Sequence, residues 1–176
     1  MGLHKINTGQ NVPNDLNVII EIPANADPVK YELDKDSGTL QVDRFIATLM
    51  RYPCNYGYIP MTHSEDGDPL DALVVTPFPL QVASVIRVRP IGLLSMIDES
   101  GKDNKILTVP VDKLTPMYKN VQKPQDLPET LLGAIAHFFE HYKALEKGKW
   151  AKLDGWLDVD AAKSEILRSV EREKAK

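Results

Sequence analysis

Cysteine is almost absent from this chain. Cys54 stands alone among 176 residues, so no internal disulfide can form, and a reducing, cytoplasmic setting is expected. Long apolar runs are missing as well. No stretch approaches the roughly 20 apolar residues that span a bilayer, and Met1 to Asn14 carries nothing like a signal peptide. Nor is there an excess of positive charge. The 21 Lys and Arg face 25 Asp and Glu, giving a net charge of −4 and a pI near 5.6. A role built on nucleic-acid backbone contacts is therefore disfavoured. A local cluster of cations and metal can still hold a small anion. Repeats, low-complexity tracts and linkers are absent too, so residues 1–176 read as one domain, long enough for a real core.

What is present begins as β. Val18–Ile22 is a short apolar run closed by Pro23. Lys30–Leu33 alternates, Asp36-Ser37-Gly38 marks a turn, and Thr39–Val42 follows. Asp71–Thr76 reads as a buried strand, Ser84–Arg89 alternates up to Pro90, Ile91–Ile97 follows, and Lys105–Val109 comes after a loop. The second half turns helical. Pro128-Glu129 opens a segment with Leu131, Leu132, Ile135, Phe138, Phe139 and Tyr142 at helical spacing, running to Gly148. Trp150 to Trp156 is a bridge to a charged last helix from Val159 to about Lys174, with Ala161, Ala162, Ile166, Leu167 and Val170 on one side. Strands followed by helices give an α+β chain with a mainly β core, a small barrel or sandwich.

The segment that carries chemistry is Asp66-Gly67-Asp68-Pro69-Leu70-Asp71. Gly67 permits a sharp bend and Pro69 fixes its own φ, so neither a helix nor a central strand suits the segment and its three carboxylates can converge. Convergent carboxylates repel. A hard divalent cation with oxygen ligands, Mg²⁺ first, neutralises them most simply. An EF-hand does not fit, because Leu70 and Pro77 stand where ligands are needed, and no Walker A or G-x-G-x-x-G loop occurs. The plain alternative is a solvated turn. More acids lie in corresponding places: Asp98 and Asp103 around another inter-strand loop, Glu21 near a strand end, Glu32 in the next. Lys30, Arg44, Lys105 and Lys143, with Tyr52, Tyr56 and Tyr142, complete a set in which acids hold metals while cations and phenols hold phosphate oxygens. His137-Phe138-Phe139-Glu140-His141 fits the inverted zinc-protease pattern, but so short a match is easily accidental and leaves the acids unexplained.

On these residues the chain resembles the soluble, Mg²⁺-dependent inorganic pyrophosphatases of bacteria, whose signature D-[SGDN]-D-[PE]-hydrophobic-D is met in full at 66–71. Glu21-Ile22-Pro23-Ala24-Asn25, Lys30-Tyr31-Glu32, Val42-Asp43-Arg44, Tyr52 to Tyr58 and Ala136 to Lys143 look like the family as well. The resemblance implies a five-stranded, OB-like closed barrel with two main helices packed outside. It also implies hydrolysis of pyrophosphate by direct attack of water, without a covalent intermediate. It makes Asp66, Asp71 and Asp103 holders of the tightest metal and has Asp71 shared with a second. Asp98 and Asp103 would hold a metal arriving with substrate, and Glu21 a further one. Mg²⁺ is implied at several sites per subunit, with Mn²⁺ or Zn²⁺ as substitutes. Asp68 would take a proton from the water or orient it. Lys30, Arg44 and Tyr56 would bind one phosphoryl group, and Lys105, Tyr142 and Lys143 the other. Glu32 and Tyr52 would orient these groups. A homohexamer is implied, with His137 and His141 at a subunit interface, and neither nucleic acid nor membrane as partner. Two other readings are a metal-dependent phosphohydrolase of different specificity and a non-enzymatic OB-type binding module.

Overall fold

The computed structural model describes residues 5–34 and 37–175. Nine strands and two α-helices occur among them: β1 Leu16–Ile22, β2 Val29–Leu33, β3 Leu40–Phe45, β4 Asn55–Tyr58, β5 Asp71–Val74, β6 Val85–Asp98, β7 Gly101–Lys102, β8 Lys105–Pro110, α1 Glu129–His141, β9 Ala151–Leu157 and α2 Val159–Lys174. The fold is mainly β with two helices. Asp36 of the expected turn lies outside the described residues, whereas Gly38 takes a positive φ beside it.

The main sheet returns on itself. β1 pairs β4 antiparallel, β4 pairs β5 antiparallel, β5 pairs β8 parallel, β8 pairs β6 antiparallel, and β6 pairs β1 antiparallel. β9 adds to the far half of β6, while β2 and β3 form a separate hairpin. Successive strand residues point to opposite faces, and the core divides accordingly. Leu94 and Leu107 join Ile135, Phe138 and Phe139 of α1, whereas their neighbours Leu93 and Ile106 join Ala162 and Ile166 of α2. Every residue of β8 is buried, as expected of a strand covered on both faces.

Three expectations about where elements begin and end are corrected. Pro90 does not end a strand, because β6 runs through it. Pairing with β1 stops at Val88 and pairing with β9 starts at Leu93, and a register shift falls between Pro90 and Gly92, so the missing N–H costs no ladder bond on that side. The stretch taken as a bridge contains β9, whose half-buried alternation lies against β6. Finally, α1 ends at His141, and turns carry the chain to Gly148. That early end delivers Tyr142 and Lys143, both buried, to the same cavity as the acids.

α2 is bounded as its sequence suggests. Asp158 caps it by accepting from the Ala161 N–H at 2.9 Å, and Arg172 and Lys174 lie in its last turn, where cations suit the helix dipole. Its buried face differs from expectation. Glu165 and Ser169 are buried with Ala162 and Ile166, while Leu167 is 45% exposed.

Candidate active site

One cavity of about 250 Å³ is lined by all fourteen residues singled out in the sequence, together with Leu33, Tyr58, Pro69, Glu99, Ser100, Phe139 and Lys149. Its walls come from separate elements. β1 brings Glu21, the β2–β3 hairpin Lys30, Glu32 and Arg44, β4 Tyr56, and the β4–β5 connection Asp66 and Asp68, with Asp71 opening β5. The end of β6 brings Asp98, the loop before β8 brings Asp103, β8 itself Lys105, and the end of α1 Tyr142 and Lys143.

Close backbone approaches set this arrangement. A Cβ on Gly57 would come within 2.0 Å of the Ile19 carbonyl oxygen, so glycine lets β4 lie tight on β1 and brings Tyr56 opposite Ile22, next to Glu21. Gly67 has φ +99°, a conformation open to glycine, and turns the acid segment back on itself. The turn is closed by Ser64 N–H donating to the Asp68 carbonyl at 2.7 Å and by Asp68 N–H donating to Asp66 Oδ1 at 3.1 Å. At its base, Thr62 donates to the Ile59 carbonyl at 2.5 Å and accepts from Leu70 N–H at 2.9 Å.

The electrostatic centre is Lys105. Its ammonium, 1% exposed by residue, donates to Asp71 Oδ2 at 2.7 Å and Asp103 Oδ1 at 2.9 Å. It also lies over the rings of Phe139 and Tyr56, at 5.1 and 5.5 Å from the centroids. Burial alone would lower the lysine's pKa, but Asp103 and Asp71 hold it well above the usual value. Burial pushes Asp71 up, and neighbouring Asp103 adds to this while Lys105 offsets it in part. Asp66 is raised as well, first by burial. Glu21 is pushed up to about 8 by burial, despite accepting from the Leu33 N–H at 2.8 Å. Burial would also raise Asp98, but Lys143 at 2.6 Å and the Ser100 N–H at 2.7 Å hold it below its usual value. Tyr52 and Tyr56 are raised well above the phenol range by burial and stay neutral donors.

Charge in the cavity does not balance. Eight acidic side chains line it against five cations, an excess of three acids, although burial lets Glu21 keep its proton up to about pH 8. Among the described residues no three acidic or imidazole side chains already meet as a finished cation site. Lys105 and Lys143 sit between or against the carboxylates instead. Arg44 donates from Nε to Glu146 at 3.2 Å and from Nη1 to Asp43 at 3.1 Å, while its Nη2 is buried without a partner among the described residues. Lys30 pairs with Glu32, and Tyr52 packs its ring 5.2 Å from that of Tyr56.

Sequence reasoning passed over several participants. Glu99 accepts from Lys143 at 3.5 Å and from the Trp150 N–H at 3.3 Å. Glu146 reaches Arg44 across 102 residues, a distance that leaves no local signal. Phe139 reads in sequence as an apolar helix position, yet it floors the cavity beneath Lys105. The signal that could have found it is its place three and four residues before Tyr142 and Lys143, on the same helical face. His137 and His141 lie outside the cavity. Their exposed rings are 4.3 Å apart, and His141 Nδ1 is 2.9 Å from the His137 carbonyl oxygen, so that nitrogen is already engaged and the zinc reading gains nothing.

The family model for inorganic pyrophosphatase matches residues 18–174 of this chain. The inorganic pyrophosphatase of Yersinia pestis is 60% identical over 174 residues, 99% of each chain. That of Escherichia coli strain K12 is 58% identical over 176 residues, 100% of each. Among solved structures, an inorganic pyrophosphatase from Coxiella burnetii is 53% identical with a TM-score of 0.91, over 95% of this chain and 99% of that one.

Proposed function

The chain belongs to the inorganic pyrophosphatase family and hydrolyses pyrophosphate to two orthophosphates, and we propose how its cavity divides that work. The observation that carries the assignment of residues is the meeting of all fourteen sequence-selected side chains in one cavity. The volume agrees. About 250 Å³ lies under the roughly 300–1,000 Å³ of pockets for drug-sized ligands, which suits a small anion with ions better than a nucleotide.

The family requires divalent metal, and the donor set suits a hard one, since every candidate ligand is a carboxylate. We assign Mg²⁺. Asp66, Asp71 and Asp103 would hold it most tightly, Asp71 would also serve a second ion, Asp98 and Asp103 would hold one that comes with substrate, and Glu21 would hold another. Bound there, the ions supply positive charge to the phosphoryl oxygens and acidity to a water. The excess of carboxylates over cations supports this, because without added positive charge the cavity would repel a polyanion.

The protein's own groups do the rest. Lys30, Arg44 and the neutral Tyr56 phenol bind one phosphoryl group, and the unpartnered Arg44 Nη2 is a donor waiting for an anion oxygen. Lys105, Tyr142 and Lys143 bind the other and stabilise the charge that moves onto the leaving phosphate. Asp68 takes a proton from the attacking water as its oxygen bonds to phosphorus and the bridging P–O bond breaks. Glu32 orients Lys30, and Tyr52 supports Tyr56. We read residues 1–176 as one domain, the returning sheet as an OB-like closed barrel of five strands, and the working form as a cytoplasmic homohexamer. The exposed, stacked His137 and His141 suit an interface in it. Phosphate release from pyrophosphate tests the assignment, with and without Mg²⁺ and beside ATP and a sugar phosphate. Fast release with pyrophosphate and Mg²⁺ alone is expected, and equal release from ATP would overturn the specificity.

A further inference from the structure

The acid segment is held from outside by a helix that contributes nothing to the cavity. His63 N–H donates to the Ser169 carbonyl of α2 at 2.9 Å. Arg172, one turn further on, donates from Nη1 to the His63 carbonyl at 3.1 Å and from Nη2 to Glu65 Oε1 at 3.4 Å. Both partners lie just before Asp66. The guanidinium is itself seated. Glu165 Oε1 accepts from Nη1 at 3.2 Å and from Nη2 at 3.3 Å, and Ser169 Oγ accepts from Nη1 at 3.2 Å.

Glu165 is 6% exposed, and burying a carboxylate is costly unless it is paired. Its anchor therefore fixes where Arg172 can be. Glu65 also lies 3.8 Å from Lys102 of β7, between Asp98 and Asp103. The two acid-bearing segments thus share one external tie, which runs through Glu65 to Arg172 and the buried Glu165.

We propose that Arg172 is a positioning residue for pyrophosphate hydrolysis, which clamps residues 63–65 against α2 and so sets the spacing of Asp66, Asp68 and Asp71. The proposal rests on the assignment of Asp66 and Asp71 as metal holders. Partners that orient metal ligands carry roughly 10–100-fold in affinity. Arg168 offers a control, because it pairs with Glu165 at 2.8 Å but is 59% exposed and, among the described residues, is neither hydrogen-bonded nor ion-paired to the acid segment.

The test is calorimetric titration of Mg²⁺ into the substrate-free, chelator-treated protein, with thermal melting and kcat measured alongside. Arg172→Ala is expected to weaken the tightest Mg²⁺ binding about tenfold and to keep most of its kcat at saturating Mg²⁺. Arg168→Ala is expected to lose stability without that shift. Should Arg172→Ala not fold, Glu65→Gln loosens the same clamp from the loop side and should weaken Mg²⁺ binding a few-fold. A lower melting temperature with unchanged Mg²⁺ affinity in Arg172→Ala, or in Glu65→Gln where that is the variant in hand, would overturn the proposal. Asp71→Asn separates the premise. If it too binds Mg²⁺ like the parent, the metal assignment fails and the proposal falls with it. If Asp71→Asn loses Mg²⁺ and Arg172→Ala does not, the clamp alone is wrong.

Discussion

Replacing Lys105 by methionine removes a cation from between two carboxylates. The ammonium is buried, and Asp71 and Asp103 are 21% and 13% exposed. Breaking a buried pair by deleting one partner costs about 3–5 kcal/mol, because it leaves charge uncompensated. Asp71 can relieve part of this by taking a proton, since burial already raises its pKa, so a loss near 3 kcal/mol is expected in chelator. For a domain of this size that corresponds to a fall of roughly 6–12 °C in melting temperature. Mg²⁺ should reverse most of it, because it can stand between the same carboxylates and because a bound ion stabilises by mass action. The contacts of Lys105 with the Phe139 and Tyr56 rings are not replaced, which leaves about 1 kcal/mol unrecovered. The assay is thermal melting of parent and variant at one protein concentration, in EDTA and in saturating Mg²⁺. A deficit that is equal in the two conditions, or absent in EDTA, would refute the idea that Lys105 neutralises the metal-binding carboxylates.

Other outcomes follow from the same geometry. Asp68→Asn should lower kcat about a hundredfold or more, the usual contribution of a positioned base, while calorimetric Mg²⁺ affinity changes little. Asp71→Asn should lose tight Mg²⁺ binding itself, and an unchanged isotherm would count against its shared role. Glu21 ties stability to pH. Burial raises its pKa from 4.5 to about 8, so the fold retains a proton that the unfolded chain releases. That stability is fully present below pH 4.5, is lost as pH rises, and is gone above 8. In chelator, urea unfolding across this window should show the decline in the parent and a flatter profile in Glu21→Gln.

The site was legible because its densest part is local. Three carboxylates, a glycine and a proline within six residues have few other uses, and the remaining acids and cations could be collected by type. What was not legible depends on pairing at a distance. β4, Asn55–Tyr58, has no aliphatic run and is fixed by β1 and β5 on either side. β9 alternates charged and apolar residues weakly, and becomes a strand because β6 offers it an edge. Pro90 reads as a stop when only its missing N–H is considered, and the sequence does not reveal that β6 changes partners there. Glu165 reads as a solvated helix position. Its burial is permitted by Arg168 and Arg172 on the following turns, a compensation that hydrophobic patterning ignores.

Water itself, and no side chain of the protein, is held to open the anhydride. One turnover of pyrophosphate by excess enzyme in ¹⁸O-water, followed by mass spectrometry of the phosphate, tests this most directly. Direct attack predicts one ¹⁸O atom in one of the two product phosphates at the first turnover. Unlabelled phosphate at that turnover, with ¹⁸O recovered in a carboxylate of the protein, would contradict it and require a covalent intermediate.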